Sequence, residues 1–302
     1  MIMTKTIRQS NNSKVWTIGS ILKWTQAYFT EKKISSPRLD AEVLLAYLLQ
    51  KERIYLYVHF DEPLQENELT AFRNIIKKRA ARIPVAYITG QKEFMGLTFK
   101  VSSAVLVPRP ETELLVETAI NKFSDYKTVN FADIGTGSGA IAISLAKLRN
   151  NFSGCAVDIS KEALIIARTN AEIFQVSDKI KFLQGDLLAP LYEQNDFNKL
   201  DLIISNPPYI PLSDMDKLEP EIRKYEPANA LTDNNDGLGF YRRLINDSSR
   251  FLTDNGALAC EFGIGQSAAI KEMAQKNGWG KYEILKDLAG IERVIILWKQ
   301  KY

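Results

Sequence analysis

Two hydrophobic rhythms divide the chain. Between residues 15 and 82, apolar side chains recur at every third or fourth position, the spacing that gives a helix one buried face. This predicts helices over 17–32, 37–49 and 65–82. In the second, Leu39, Val43, Ala46 and Leu49 share a face, which Leu44 and Leu45 widen. Ser36 stands where an N-cap belongs, and Pro37 occupies the first turn, where its missing N–H costs nothing. Between Pro84 and Pro110 the rhythm shortens into extended runs, Glu93-Phe94-Met95, Leu97 to Val101 and Val105-Leu106-Val107, with Gly96 at a tight turn. A β-hairpin acting as a hinge between two domains is expected there.

From Glu111 onward, short apolar runs alternate with helical patterns. Strands are expected at 128–134, 153–158, 180–185, 200–205 and 256–262, and helices at 139–149, 160–174, near 238–252, and at 266–277. Two closing strands near 281–287 and 292–298, joined across Gly290, suggest an antiparallel edge. The expected class is α/β: a doubly wound, Rossmann-like sheet with an antiparallel edge strand, a small N-terminal helical domain and a hairpin hinge. The domains are read as 1–85, a helical bundle for partner recognition; 86–110, the hairpin linker; and 111–302, the catalytic domain. In such a sheet, ligands sit beyond the carboxyl ends of the strands.

With 302 residues, the chain can build one large core and one small one. Its 45% hydrophobic and 25% charged residues are those of a soluble globular protein. Residues 1–14 are polar and lack the apolar stretch of a secretory signal, and no run approaches the ~20 apolar residues of a membrane span. A cytoplasmic monomer without membrane contact is the expectation. Cys155 and Cys260 fall inside predicted strands and read as buried free thiols. The single histidine, His59, expected at a helix end or in a loop, excludes a histidine-rich metal site or a catalytic triad as the main chemistry. Residues 1–90 hold 14 Lys and Arg against 8 Asp and Glu, a net +6, whereas the remainder is net −3. The front of the chain is thus the better candidate for meeting a nucleic acid or ribonucleoprotein. A solvated helical surface reads equally well.

Asn206-Pro207-Pro208-Tyr209, following the apolar run 200–205, is the most informative junction. Two prolines fix φ and supply no donors, so the backbone there is stiff and its carbonyls look outward. The Asn206 side-chain oxygen and the Pro207 carbonyl form a pair of neutral acceptors suited to a substrate –NH2, and Tyr209 adds a flat face. Upstream, Asp133-Ile134-Gly135-Thr136-Gly137-Ser138-Gly139 joins a predicted strand to a helix, leaving helix N–H groups free for an anion. With Ala140, the loop also satisfies the relaxed dinucleotide pattern G-x-G-x-x-A, which keeps a nicotinamide enzyme in view. No Lys-Ser/Thr pair follows, which argues against a P-loop. Asp158, 19 residues beyond Gly139, can accept both hydroxyls of a ribose, in a nicotinamide enzyme or in an S-adenosylmethionine enzyme alike. Asp186 can approach an adenine, with Leu187 as apolar neighbour. Dehydrogenases commonly build a proton relay on histidine or a Tyr/Lys pair, and nothing here forces one; methylation of an amino group needs acceptors around a planar –NH2.

The set Asp133-x-Gly135-x-Gly137-x-Gly139, Asp158 and Ser205 to Ile210 resembles class I S-adenosylmethionine-dependent methyltransferases acting on exocyclic or amide nitrogen. Val107-Pro108-Arg109-Pro110-Glu111-Thr112-Glu113, Asp40 to Leu45, Glu226-Pro227-x-x-Ala230-Leu231, Asp236-Gly237-Leu238 and Gly290-x-x-Arg293 look, more narrowly, like the PrmC (HemK) family, over nearly the whole chain. The resemblance implies methylation of the glutamine amide nitrogen (N5) in the Gly-Gly-Gln motif of class I peptide chain release factors, in support of translation termination. It implies S-adenosylmethionine as cofactor, with Asp133, Gly135, Thr136, Gly137, Ser138 and Gly139 at its methionine end, Asp158 at the ribose, Asp186 and Leu187 at the adenine, and Asn206 also in contact with it. Leu187 departs from the aromatic residue that the family often has there. Asn206 and Pro207 carry the catalytic acceptors, and Asn206, Pro207, Pro208 and Tyr209 hold the substrate amide. Pro108 to Glu113 are expected either to line the pocket or only to form the hinge. The alternative is an adenine or guanine amino methylase acting on a flipped base of DNA or RNA; the slightly acidic catalytic domain and the lack of a target-recognition insert count against nucleic-acid binding.

Overall fold

A computed structural model describes residues 15–193 and 199–299; the polar opening over 1–14 lies outside the described residues. The described residues fall into two compact units, divided between Thr89 and Gly90.

The first unit is helical: α1 (Ile18–Glu31), α2 (Pro37–Leu49), α3 (Arg53–Val58), α4 (Glu66–Ala80) and α5 (Val85–Thr89). A reciprocal cap opens α1, the Thr17 hydroxyl accepting from the Ser20 N–H at 3.2 Å and Ser20 Oγ from the Thr17 N–H at 2.8 Å. The face of α2 differs from the expected stripe. Ala41, Leu44 and Leu45 pack with Phe29 and Phe72, while Leu39 is exposed. Ion pairs turn the helix: Asp40 is drawn inward by buried Arg79 at 2.7 Å, and Glu42 by Arg53 at 2.7 Å and Arg38 at 2.8 Å. The six residues of α3 and five of α5 are too short to display a period. His59 directly follows α3 and stacks on Tyr55, with ring centroids 3.8 Å apart.

The second unit begins with a hairpin of β1 (Gln91–Phe94) and β2 (Leu97–Lys100), turned by Met95 and Gly96, both at positive φ. This hairpin belongs to the second unit itself. Phe94 and Phe99 are buried in its core, and the Asn170 side chain bonds the N–H and carbonyl of Lys100 at 2.8 and 3.0 Å. Thereafter come α6 (Glu113–Lys122), β3 (Val129–Ile134), α7 (Ala140–Leu148), β4 (Phe152–Asp158), α8 (Lys161–Ile173), β5 (Ile180–Gln184), α9 (Ala189–Tyr192), β6 (Leu200–Ser205), α10 (Pro220–Tyr225), α11 (Gly239–Asp247), β7 (Leu252–Glu261), α12 (Ser267–Lys276), β8 (Lys281–Lys286) and β9 (Glu292–Trp298).

The sheet runs β5-β4-β3-β6-β7-β9-β8. Strands β3 to β7 are parallel, and β9 lies antiparallel to both β7 and β8, so the edge expected from sequence is present. Near-continuous apolar strands such as Leu200 to Ile204 are covered on both faces by separate hydrophobic clusters. Cys155 on β4 and Cys260 on β7 are free and buried, and burial raises both thiol pKa values, that of Cys155 to about 12. The order reverses between β3 and β6, whose ends align at Ile134 and Ser205. A topological switch point therefore opens a crevice between the Gly-rich loop after β3 and the Pro-Pro corner after β6.

Candidate functional site

The Gly-rich loop is shaped from beneath. Asp133, wholly buried at the end of β3, accepts from the Thr136 hydroxyl at 2.6 Å and the Ala142 N–H at 3.2 Å. Desolvation pushes its pKa up to about 7, against the opposing effect of those bonds. Gly135, Gly137 and Gly139 all take positive φ. A Cβ at Gly135 or Gly137 would meet open space, whereas one at Gly139 would strike Ile143 at 2.7 Å. The first two glycines thus face the crevice, and the third lets α7 pack against α8.

Asp158, at the end of β4, ties this loop to its neighbour. Its Oδ2 accepts from the Gly137 N–H at 2.8 Å and its Oδ1 from the Ser160 N–H at 2.9 Å. Burial raises its pKa, and the backbone donors work against that rise. Each carboxylate oxygen retains a further lone pair for a hydroxyl. A cavity of about 270 Å³ opens here, with Gly135, Gly137, Asp158, Asp186, Leu187 and Asn206 in its wall. Asp133, Thr136, Ser138 and Gly139 do not line it; they form the support under the loop. Asp186 is held by Arg243 of α11 through bonds of 3.1 and 2.6 Å, and Phe240 reaches the same wall. Leu187 adopts positive φ beside it. Asp233 carries α11 there by accepting from the N–H groups of Asn235, Gly237 and Gly239 at 2.8 to 2.9 Å.

The corner after β6 sits between this cavity and a second of about 160 Å³, walled by Arg109, Tyr209, Ile210, Leu218, Ile222 and Leu231 among others. Asn206 and Pro207 line both, together with Leu106 and Ala230, while Pro208 faces the larger and Tyr209 the smaller. Asn206 donates from Nδ2 to the Thr112 hydroxyl at 2.9 Å, and Thr112 donates to Glu261 Oε2 at 2.6 Å. Its Oδ1 meets no donor among the described residues. The Tyr209 hydroxyl donates to Glu261 Oε1 at 3.2 Å, and Gln266 donates from Nε2 to the Tyr209 carbonyl at 2.8 Å. Burial raises the pKa of both Glu261 and Tyr209.

The Pro108 to Glu113 segment does more than turn the chain. Arg109 walls the smaller cavity and pairs at 2.6 Å with buried Glu226, which also accepts from the Val107 N–H. Thr112 supports Asn206, and Glu113 accepts from the hairpin N–H of Met95 at 2.7 Å. Sequence reasoning missed Phe240, Arg243, Glu261 and Gln266. The Asp236-Gly237-Leu238 motif flagged the approach to α11, but Glu261 and Gln266 carried no local signal. No group of three metal-binding side chains occurs among the described residues, and no helix there is long and apolar enough to cross a membrane.

Fold and crevice together define a methyltransferase of the doubly wound class. Comparison with known proteins agrees: residues 20–90 match the PrmC N-terminal domain, and residues 110–218 the Methyltransferase small domain. The chain is 41% identical to a release factor glutamine methyltransferase of Rhodopirellula baltica, over 96% of this chain and 99% of that one. It is 40% identical to that of Geobacter sulfurreducens (93% and 96% covered) and 41% identical to that of Bacillus subtilis (92% and 96%). The N-terminal domain of human METTL16, solved in complex with SAH, aligns with a TM-score of 0.53 at 20% identity over 85% of this chain and 94% of that one, a likeness of fold alone. The chain belongs to the release factor glutamine methyltransferase family, as the sequence resemblance implied.

Proposed function

We propose that this protein transfers a methyl group from S-adenosylmethionine to the side-chain amide nitrogen (N5) of the glutamine in the Gly-Gly-Gln motif of a class I release factor, in the cytoplasm where termination occurs. The observation that carries the reading is that Asn206 and Pro207 form the shared wall of two cavities, which the reading assigns to a cofactor and to a side chain. The larger fits an adenosyl cofactor by its chemistry: a glycine floor that any Cβ would fill, the Asp158 carboxylate, which would accept ribose hydroxyls, and apolar Leu187, which would pack on an adenine. That cofactor supplies an activated methyl on a positively charged sulfur.

The protein's own contribution is orientation. An amide nitrogen is a weak nucleophile because its lone pair is shared with the carbonyl. Asn206 Oδ1 and the Pro207 carbonyl accept its two N–H groups, which fixes the nitrogen and raises its electron density. Tyr209 and Pro208 bound the plane of the amide. Holding reactants in line at ~3–3.5 Å contributes up to roughly 7–11 kcal/mol in favourable cases. No strong base is needed beforehand, since the proton leaves once nitrogen carries the methyl. Asp133, Thr136, Ser138 and Gly139 act by holding the loop, and Asp158 by accepting the ribose hydroxyls. The nucleic-acid alternative is set aside because relatives at about 40% identity over the full length carry the release-factor name. Incubation with labelled S-adenosylmethionine and a release factor, followed by mass mapping, tests the reading: label on the Gly-Gly-Gln glutamine supports it, and label elsewhere or none rejects it.

A further inference from the structure

Thr112 and Glu261 never reach either cavity wall, yet both are buried and joined to Asn206 through consecutive hydrogen bonds. An asparagine amide is nearly symmetric in shape, so packing alone does not choose whether oxygen or nitrogen faces the substrate. Donor accounting does. Glu261 accepts at both of its oxygens, from Thr112 at Oε2 and from Tyr209 at Oε1, so the single Thr112 proton goes to Glu261 and the Thr112 oxygen is left able only to accept. Asn206 then has to turn its –NH2 toward Thr112 and its Oδ1 toward the cavities.

Resting on the reading of the substrate as a primary amide, we propose that Thr112 and Glu261 are positioning residues that lock the flip of the Asn206 side chain, so that the site offers an acceptor to an –NH2 donor. Glu261 is itself fixed from several elements. Tyr209 donates to its other oxygen, and the Tyr241 hydroxyl of α11 bonds its backbone carbonyl at 2.6 Å. Arg293 of β9 and Glu111 of the turn before α6 are the charges facing it, the arginine favouring its ionised form and the glutamate opposing it. Loss of the Thr112 hydroxyl, or a carboxamide at 261 able to donate toward Thr112, releases or reverses the lock.

The test uses the full-length enzyme, S-adenosylmethionine and an intact release factor, with Thr112→Val, Thr112→Ser, Glu261→Gln and the double variant Thr112→Val/Glu261→Gln. For Thr112→Val and Glu261→Gln, kcat should fall about ten- to hundredfold, the effect of one misplaced hydrogen bond and an unpaired buried donor. Their KM for the release factor and Kd for the cofactor should stay within about threefold of wild type. Thr112→Ser should keep kcat within about threefold, and the double variant should be no slower than the slower single, because both changes break one chain. Unchanged kcat in Thr112→Val and Glu261→Gln overturns the proposal, as do equal losses in the Val and Ser variants or fully multiplicative losses in the double. Should Thr112→Val not fold, Glu261→Gln against Thr112→Ser decides by the same criteria. An inactive wild type overturns the functional reading instead, a result distinct from failure of the lock alone.

Discussion

Replacing Asp158 by alanine separates cofactor binding from chemistry. The carboxylate receives the Gly137 and Ser160 N–H groups at 2.8 and 2.9 Å, and under the proposed function it has a second duty, offering its remaining lone pairs to ribose hydroxyls. Hydrogen bonds to a charged group contribute about 1.5–3 kcal/mol each, so two ribose contacts amount to about 3–6 kcal/mol. Burial already disfavours the ionised carboxylate, and removing it relieves that cost. A net loss of about 2–4 kcal/mol remains, or roughly 30- to 1,000-fold in Kd. Titration calorimetry with S-adenosylmethionine on both proteins measures it. A cofactor analogue lacking both ribose hydroxyls separates the two duties: if the ribose contact dominates, wild type and Asp158→Ala should bind the analogue with similar affinity. An unchanged Kd for the natural cofactor refutes the ribose assignment. An equal loss for natural cofactor and analogue shows that the carboxylate acts only by tethering the Gly137 loop.

Asn206→Ala should lower kcat about 100- to 1,000-fold, as for loss of one preorganised electrostatic contact, with little change in cofactor affinity or thermal midpoint because Thr112 keeps its bond to Glu261; wild-type turnover would reject the acceptor role. Asp133 holds a proton in the folded chain up to pH about 7 that the unfolded chain releases near its ordinary value of 3.8. The folded state therefore binds more protons in that window, and the contribution of Asp133 to stability falls as pH rises through it. Urea unfolding at pH 5 and pH 8 should show wild type losing on the order of 2–3 kcal/mol more than Asp133→Asn; parallel losses would contradict the buried, protonated aspartate. Gly154→Ala should destabilise by about 3–5 kcal/mol and lower the thermal midpoint by about 10 °C, since its Cβ would lie 1.9 Å from the Phe131 carbonyl oxygen of the neighbouring strand; an unshifted melt would show that the two strands can move apart.

What the chain determines locally was legible in it. Every strand from β3 to β9 and every helix of nine or more residues except α6 stood in the hydrophobic rhythm, because a strand covered on both faces reads as an apolar run and a core-facing helix repeats at 3.6. Gly135, Gly137, Asp158 and Asn206 were identifiable because glycine, a strand-end carboxylate and a proline-stiffened asparagine each carry their conformational reason in their own residue type. The face of α2 was not legible: the buried pair of Asp40 with Arg79, and the pairs of buried Glu42 with the exposed Arg38 and Arg53, outweigh the apolar stripe that points Leu39 inward. Nor was the duty of Asp133, which differs from Asp158 only in depth below the loop. Tertiary structure alone brought Thr112, Asn206 and Glu261, from three separate stretches of chain, into one hydrogen-bonded line. The reason is physical: residue type specifies what a group can donate or accept, but its partner is chosen only when the sheet closes and water is excluded.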